Sequence, residues 1–332
     1  MKKKFFVIVL LVFSLTGAFE ALELGNDGAG FKVVKAEAAR KKKKTTGTTK
    51  KSNQAKMKLT QKDYNEFVRI CKSGNLQQFR SKLEGENISP NAMYYGSEGE
   101  NETLLTIAIA PEYTRIAPEY TSGANNVEII RFLLSKGADV NKKVAFYEEY
   151  GLEPENATTP LMIAACLASP SVVKTLLDAG AALEAKNESG RTAIDFALGR
   201  FSNAATEGVY AKVVKMLVDA GAKVKGQGYI VSAAKSLTGS LFAELPEVFD
   251  ILIKAGADIN ERDSSGATAL IGYISIFHIT DRDADFIKFL LDAGVNARLR
   301  DKQGKRAIDY VAQQKPNIKG TRVYKMLEAA SK

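Results

Sequence analysis

The sequence predicts an all-α repeat fold. Three observations predict it: a helical block that recurs and stops at glycine, a Thr-led helix start before most of the blocks, and a length of 332 residues carried by that repetition. Each block is apolar at i, i+1, i+3 and i+4, which makes one wide helix face. A single such pair of helices cannot bury its apolar side, so neighbouring copies must do it.

The first residues differ from the rest. Met1 to Lys4 is basic, and Phe5 to Phe19 is an apolar run of 15 residues. A spanning helix needs about 20, so the run reads as the apolar part of an export signal, with a short uncleaved anchor as the other reading. The signal is expected over 1–18, with cleavage after Ala18 or as late as Ala38. No Cys occurs among residues 1–40, so a lipoprotein is not expected. Residues 19–58 are expected to be a disordered basic linker, because Arg40 to Lys58 contains no acid and no apolar periodicity. Its run Lys41, Lys42, Lys43 and Lys44 is a candidate tether to an anionic envelope polymer or membrane surface, or a solvated spacer.

Charge follows the same boundary. The net charge of +9 suggests a nucleic-acid binder. However, residues 1–58 carry 14 Lys/Arg and 4 Asp/Glu, whereas 59–332 carry 33 and 34. Basicity belongs to the N-terminal segment, and export removes the chain from most DNA, so nucleic acid is the least expected partner.

From residue 59 the elements repeat. Residues 59–84 read as an N-terminal helix pair turning at Gly74-Asn75. The helical block appears at Ile129 to Gly137, returns at Val172 to Gly180, and again ahead of Gly221, Gly256 and Gly294. Each glycine stands where a helix needs a left-handed stop. Thr159-Pro160 supplies an N-cap and a first-turn proline. Weaker copies begin at Thr103, Thr192 and Thr268, and Asn187, Asp263 and Asp301 open Asp/Asn-x-x-Gly turns. Val323 to Leu327 is a last copy without glycine.

These residues resemble the ankyrin-repeat family, whose turn–T-P-L-H-x-A–helix–V-V-x-L-L–G-A-D pattern they match over most of 59–332. The resemblance implies a solenoid of antiparallel helix pairs with hairpin fingers, with repeats over about 95–299 and a capping pair at 300–332. It also implies partner binding through fingers and concave face, and no catalytic site. The family His is absent: Thr106, Met162, Asp195, Ser232 and Ile271 replace it. Tyr229 lacks the Thr-Pro start, and Tyr273 stands where a small Ala is expected. Glycine spacings of 43, 41, 35 and 38 exceed the family period of about 33, which places insertions near 111–125, 200–210, 238–246 and 277–284 and a long finger near 141–158.

Chemistry is sparse. His278 is the only His, so a Ser-His-Asp set has one possible member, and three N/S side chains cannot complete a four-ligand structural zinc site. No cofactor, metal or catalytic residue is expected. Cys71 and Cys166 fall in different repeats and are expected to be buried thiols, too far apart to bridge.

The candidate site is a contact surface. Residues 84–158 carry 13 Asp/Glu against 5 Lys/Arg and half of the 12 Tyr. Tyr94, Tyr95, Phe146, Tyr147, Glu148, Glu149 and Tyr150 are the candidates, because aromatics in loops give rigid contact area. They either contact a partner or fold back on the stack. A basic partner is expected, either another protein or the chain's own Lys-rich segment. The function expected is a monomeric, exported protein–protein scaffold; the alternative is an inhibitor or immunity-type protein that neutralises a basic toxin or enzyme.

Overall fold

The computed structural model describes residues 10–13, 19–24, 31–34, 55–96, 101–111, 126–146, 155–167, 169–198, 208–236, 244–314 and 318–332. The chain divides into two compact units, Met1–Asn53 and Gln54–Lys332. In the first, β1 (Leu10–Phe13), β2 (Phe19–Leu24) and β3 (Phe31–Val34) form an antiparallel sheet in that order. Neither the export-signal reading of 1–18 nor the linker reading of 19–58 includes these strands. Lys41 to Lys44 lie outside the described residues.

The second unit is a stack of helix pairs. They are α1 (Gln61–Ser73) with α2 (Leu76–Gly85), α3 (Leu104–Ile109) with α4 (Val127–Ser135), and α5 (Pro160–Cys166) with α6 (Pro170–Asp178). Then come α7 (Ala193–Leu198) with α8 (Val209–Asp219), α9 (Tyr229–Ser236) with α10 (Leu245–Lys254), α11 (Ala269–Ile276) with α12 (Ala284–Asp292), and α13 (Ala307–Gln314) with α14 (Arg322–Ala330). Odd-numbered helices pack on odd-numbered ones and even on even, so the stack has two helical layers. One apolar cluster runs through it from Leu59 to Leu327. No described helix is long and apolar enough to cross a membrane.

The helix ends form as their residues dictate. Gly137, Gly180, Gly221, Gly256 and Gly294 have φ of 87, 82, 97, 97 and 95°. The glycine N–H and the next one return to the last helical carbonyls, as in Gly137 N–H to Leu134 (3.0 Å) and Ala138 N–H to Leu133 (3.0 Å). Thr60, Thr103, Thr159, Thr268 and Thr321 each cap a helix with the side-chain oxygen. The residues at the family His position close the cap from the other side. Thr106 Oγ1 and Asp195 Oδ2 accept the N–H of Thr103 (2.9 Å) and Thr192 (2.7 Å), and Met162 Sδ accepts that of Thr159 (3.4 Å).

The fold is not purely helical. A five-stranded sheet runs in the order β4 (Lys56–Lys58), β5 (Ile88–Tyr95), β6 (Asn101–Thr103), β7 (Val144–Phe146), β8 (Glu155–Thr158). β4 is parallel to β5, and the other neighbours are antiparallel. The register shifts between Lys56↔Ile88 and Lys58↔Met93, in the stretch that holds Pro90, which has no N–H to give a ladder. The folded stack therefore starts before residue 59, because Lys56–Lys58 is a strand and not linker.

Where the sequence departs from the repeat pattern, neighbouring residues compensate. α9 lacks a Thr cap, and Glu261 of the next connection accepts the Ile230 N–H at 3.1 Å. α8 begins after Gly208, and Glu244 accepts the N–H of Gly208 (2.7 Å) and of Ala211 (2.9 Å). Tyr273 is 1% exposed and packs on Phe277 and Phe286. Its hydroxyl donates to Asp283 at 2.6 Å, in the 3-10 turn Asp281–Asp283 that closes the insertion near 277–284. Lys235 crosses Gly272 to bond Asp263, and a Cβ at 272 would lie 2.9 Å from its Cε, so a larger residue there would make the lysine side chain shift.

Candidate partner-binding site

The site is built on α1. Tyr64 of α1 stacks on Tyr94 of β5, with ring centroids 4.1 Å apart. The Tyr94 hydroxyl donates to Gln61, and the Tyr64 hydroxyl donates to Glu102 at 2.9 Å. Alternation along β5 then decides the fate of two adjacent tyrosines. Tyr94 is 7% exposed and belongs to the core, whereas Tyr95 is 54% exposed. Tyr94 is thus corrected from a contact residue to a packing residue. Both lie on a strand rather than in a loop. Tyr95 carries Lys58 Nζ 5.5 Å from its ring centroid, so the last residue of the Lys-rich stretch rests on a candidate contact aromatic.

The sheet joins candidates about 50 residues apart in sequence. Asn101 pairs with Tyr95 on one side and with Ala145 on the other, and its Oδ1 accepts the Ala145 N–H at 3.0 Å. Two strand spacings separate Tyr95 from Ala145, roughly 10 Å. The chain leaves the sheet at Phe146 and re-enters opposite it, at Glu155. Tyr147, Glu148, Glu149 and Tyr150 fall between these points, outside the described residues, and Phe146 is placed as backbone only.

A charged network braces this end of the stack. Asp63 receives Lys56 Nζ at 2.5 Å, and Lys82 lies 3.6 Å from Asp63 and 2.9 Å from both Glu66 and Glu86. Burial acts to raise the Asp63 carboxyl, but the hydrogen bonds from Lys56 and Thr60 outweigh it and hold it well below the usual carboxylate range. Lys82 and Asp63 are the buried centre of the network, while Lys56, Glu66 and Glu86 are partly exposed at its edge. Sequence reasoning missed it, because the contacts of Lys82 with Asp63 and Glu66 join α2 to α1 across 16 to 19 residues.

Cys71 and Cys166 are both buried thiols with no disulfide between them. Burial pushes the Cys71 thiol up to about 12, which leaves it protonated and unreactive in the folded state. His278 is exposed. Among the described residues no group of three His, Cys, Asp or Glu is arranged to hold a metal ion.

A family model described as ankyrin repeats, in three copies, matches residues 122–228. The stack is similar to the human ASB11 ankyrin repeat domain, with a TM-score of 0.54 and 19% identity over 80% of this chain and 96% of that one. It is also similar to the ankyrin repeat domain of Bcl-3, a member of the IkappaB protein family, with a TM-score of 0.50 and 17% identity over 79% and 97% of the two chains. At that identity the likeness concerns the fold. Among curated proteins, the chain is 35% identical over 96 residues to the E3 ubiquitin-protein ligase hecd-1 of Caenorhabditis elegans. It is 25% identical over 144 residues to the E3 ubiquitin-protein ligase Ufd4 of Drosophila melanogaster. These matches span 29% and 43% of this chain but only 3% and 4% of the two ligases.

Proposed function

We propose that this chain, whose repeats are ankyrin repeats, is a non-enzymatic scaffold exported to a bacterial cell envelope, where it holds a protein partner on its fingers and concave face. An ankyrin-repeat domain is in general a non-catalytic interaction module, and the ligase matches touch the repeat region alone. The observation that carries the reading is the sheet beside α1. It presents Tyr95 on a frame anchored by the Tyr64–Tyr94 stack and brings the root of the 147–154 finger to the same sheet. A preorganised aromatic loses little entropy on binding, so contact area there converts efficiently into affinity.

The partner proposed for this face is basic, because residues 84–158 carry 13 acids against 5 Lys/Arg. The test is capture from envelope extract by wild type, Tyr95→Ala and Glu148→Gln/Glu149→Gln chains. A protein held by wild type and lost by both variants supports the reading; equal retention by all three refutes it. The same acidity supports a second reading, neutralisation of a basic toxin or enzyme, for which the captured protein would be a small cationic one whose activity the chain abolishes. Export rests on the apolar run Phe5 to Phe19 behind Lys2 to Lys4. N-terminal sequencing of native protein should begin at residue 19 or 39, and a start at Met1 or Lys2 would remove that part. Lys41 to Lys44 would add electrostatic attachment to an anionic surface, tested by co-sedimentation with anionic vesicles at low and high salt.

A further inference from the structure

Charge on the helical stack is divided between its two ends. Lys305 to Lys332, the final pair α13–α14 with its flanks, carries seven Lys/Arg and two Asp/Glu, a net of +5. Residues 84–158, which run from the end of α2 through the second pair to the long finger, carry 13 Asp/Glu and five Lys/Arg, a net of −8. Every charge is counted in these totals, bonded or not. The stretch between them, 159–304, holds 16 Lys/Arg and 17 Asp/Glu, so it is close to neutral.

The last pair is open on one side. α13 packs on α11 and α14 on α12, and no further pair follows. Ala307, Ile308 and Val311 of α13 and Val323 and Leu327 of α14 are its buried residues. Its acids are outnumbered where they stand. Asp309 lies 3.2 Å from Arg306 and 3.7 Å from Arg300, and Glu328 lies 3.9 Å from Lys332. Lys319 and Lys325 are exposed. Distance keeps the two ends from neutralising each other within one stack. Five helix-pair steps of roughly 8–10 Å separate the second pair from the seventh, about 40–50 Å in all. Screening at physiological salt acts over only about 8 Å.

We propose that the basic partner of the acidic end is the basic end of a second copy of this chain, so that copies associate head to tail. The inference rests on the proposed reading of the acidic face as one that holds a basic partner, and it supplies that partner from the chain itself. Tyr95 indicates the group such a face accepts, since its ring already carries the Lys58 ammonium at 5.5 Å. The two surfaces differ, so the contact is heterologous, and an associated pair keeps one acidic and one basic end free for further copies. The monomer expected from the sequence then becomes the high-salt form. Lys41 to Lys44 are a rival source of cations for the acidic face, and neutralising them should strengthen the association or leave it unchanged.

The test is sedimentation velocity of the full chain over a range of concentrations, at low and high salt. The end variant is Lys319→Gln/Lys325→Gln/Lys332→Gln, and the acidic-face variant is Glu148→Gln/Glu149→Gln. Two controls are Arg298→Gln/Arg300→Gln/Lys302→Gln, on the last connection between pairs, and Lys41→Gln/Lys42→Gln/Lys43→Gln/Lys44→Gln. Circular dichroism checks that each fold is retained. Wild type should associate reversibly at low salt and dissociate at high salt, where screening shortens to about 3 Å at 1 M. The end and acidic-face variants should each associate about tenfold or more weakly. Their mixture should regain one full-strength contact and stop at the dimer, because one variant keeps the basic end and the other the acidic one. The connection variant should lose less than the end variant, although it removes the same charge. The proposal is overturned if wild type stays monomeric, if its association persists in high salt as assembly through the apolar run Phe5 to Phe19 would, or if the end variant associates as wild type does. It is also overturned if the mixture regains nothing, if the connection variant loses more than the end variant, or if the Lys41–Lys44 variant abolishes association. A monomeric chain that still captures an envelope protein through Tyr95 would leave the proposed function standing without this inference. Salt-sensitive association with no captured protein would leave the inference standing and remove the outside partner.

Discussion

Replacing Glu244 by Ala should cost the stack about 3 kcal/mol, although the residue lies outside every repeat motif. Its carboxylate is 5% exposed and accepts two N–H groups at the start of α8, from Gly208 at 2.7 Å and from Ala211 at 2.9 Å. Ala211 is fully buried, so its orphaned N–H would keep its desolvation penalty of about 1–3 kcal/mol. Gly208 is exposed and water would replace that bond, leaving a capping loss of about 0.5–1 kcal/mol. Glu244→Gln keeps the shape and one acceptor but turns an NH₂ toward one of the two donors, so it should cost about half as much. Asp219→Ala is the control: its pair with Lys215 is more than half exposed on both sides and worth only about 0.3–0.5 kcal/mol. Urea unfolding followed by circular dichroism is the assay, since the chain has no Trp. Exchange at the Ala211 amide adds a local readout that does not assume two-state behaviour, and should speed up about a hundredfold. A Glu244→Ala chain within about 0.5 kcal/mol of wild type would refute capping from the neighbouring repeat.

Burial acts to raise Asp263, but bonds from Lys235, Ser265 and the Ala267 N–H overcome it and hold the carboxyl at about 2, against 3.8 normally. A depressed carboxyl contributes stability that is present above pH ~4 and lost as pH falls toward 2, on the order of 1–2 kcal/mol after discounting for partial exposure. Lys235→Met should therefore move the acid limb of a stability–pH curve upward, and an unchanged limb would count against the pairing. Tyr273→Phe should cost about 1 kcal/mol by removing the donor to Asp283, whereas Tyr273→Ala should cost about 3–5 kcal/mol through a cavity, both read as shifts in thermal melting. Cys71 and Cys166 should resist iodoacetamide in the native protein and take up two adducts in urea; native labelling or a 71–166 bridge in non-reducing mass spectrometry would contradict their burial.

Legibility in the sequence tracks the range of each interaction. Thr caps, glycine stops and Asp/Asn-x-x-Gly turns involve residues within about six positions of one another, so their partners can be named from the string alone. The Gly74-Asn75 turn of the first helix pair was readable for that reason: Gly74 has φ 64° and Asn75 caps α2 by accepting the Gln78 N–H. The sheet was not readable. Its pairings join residues 56–58 to 88–93 and 101 to 145, and β5 contains a Pro that argues against a strand. Composition singled out Tyr94 and Tyr95 together and had no means of separating two adjacent identical side chains, of which one is buried and the other exposed.

The sequence by itself determined the repeat, the positions of helix starts and stops, and the near-neutral balance of 59–332, because each follows from local backbone preference or from counting. Only the tertiary structure decided which tyrosine of the pair faces water and which carboxylates cap a helix in the preceding repeat. The physical reason is shared. A strand's alternation acquires an inside only when α1 packs beneath it, and a carboxylate becomes a cap only when the neighbouring repeat brings a backbone N–H within its reach.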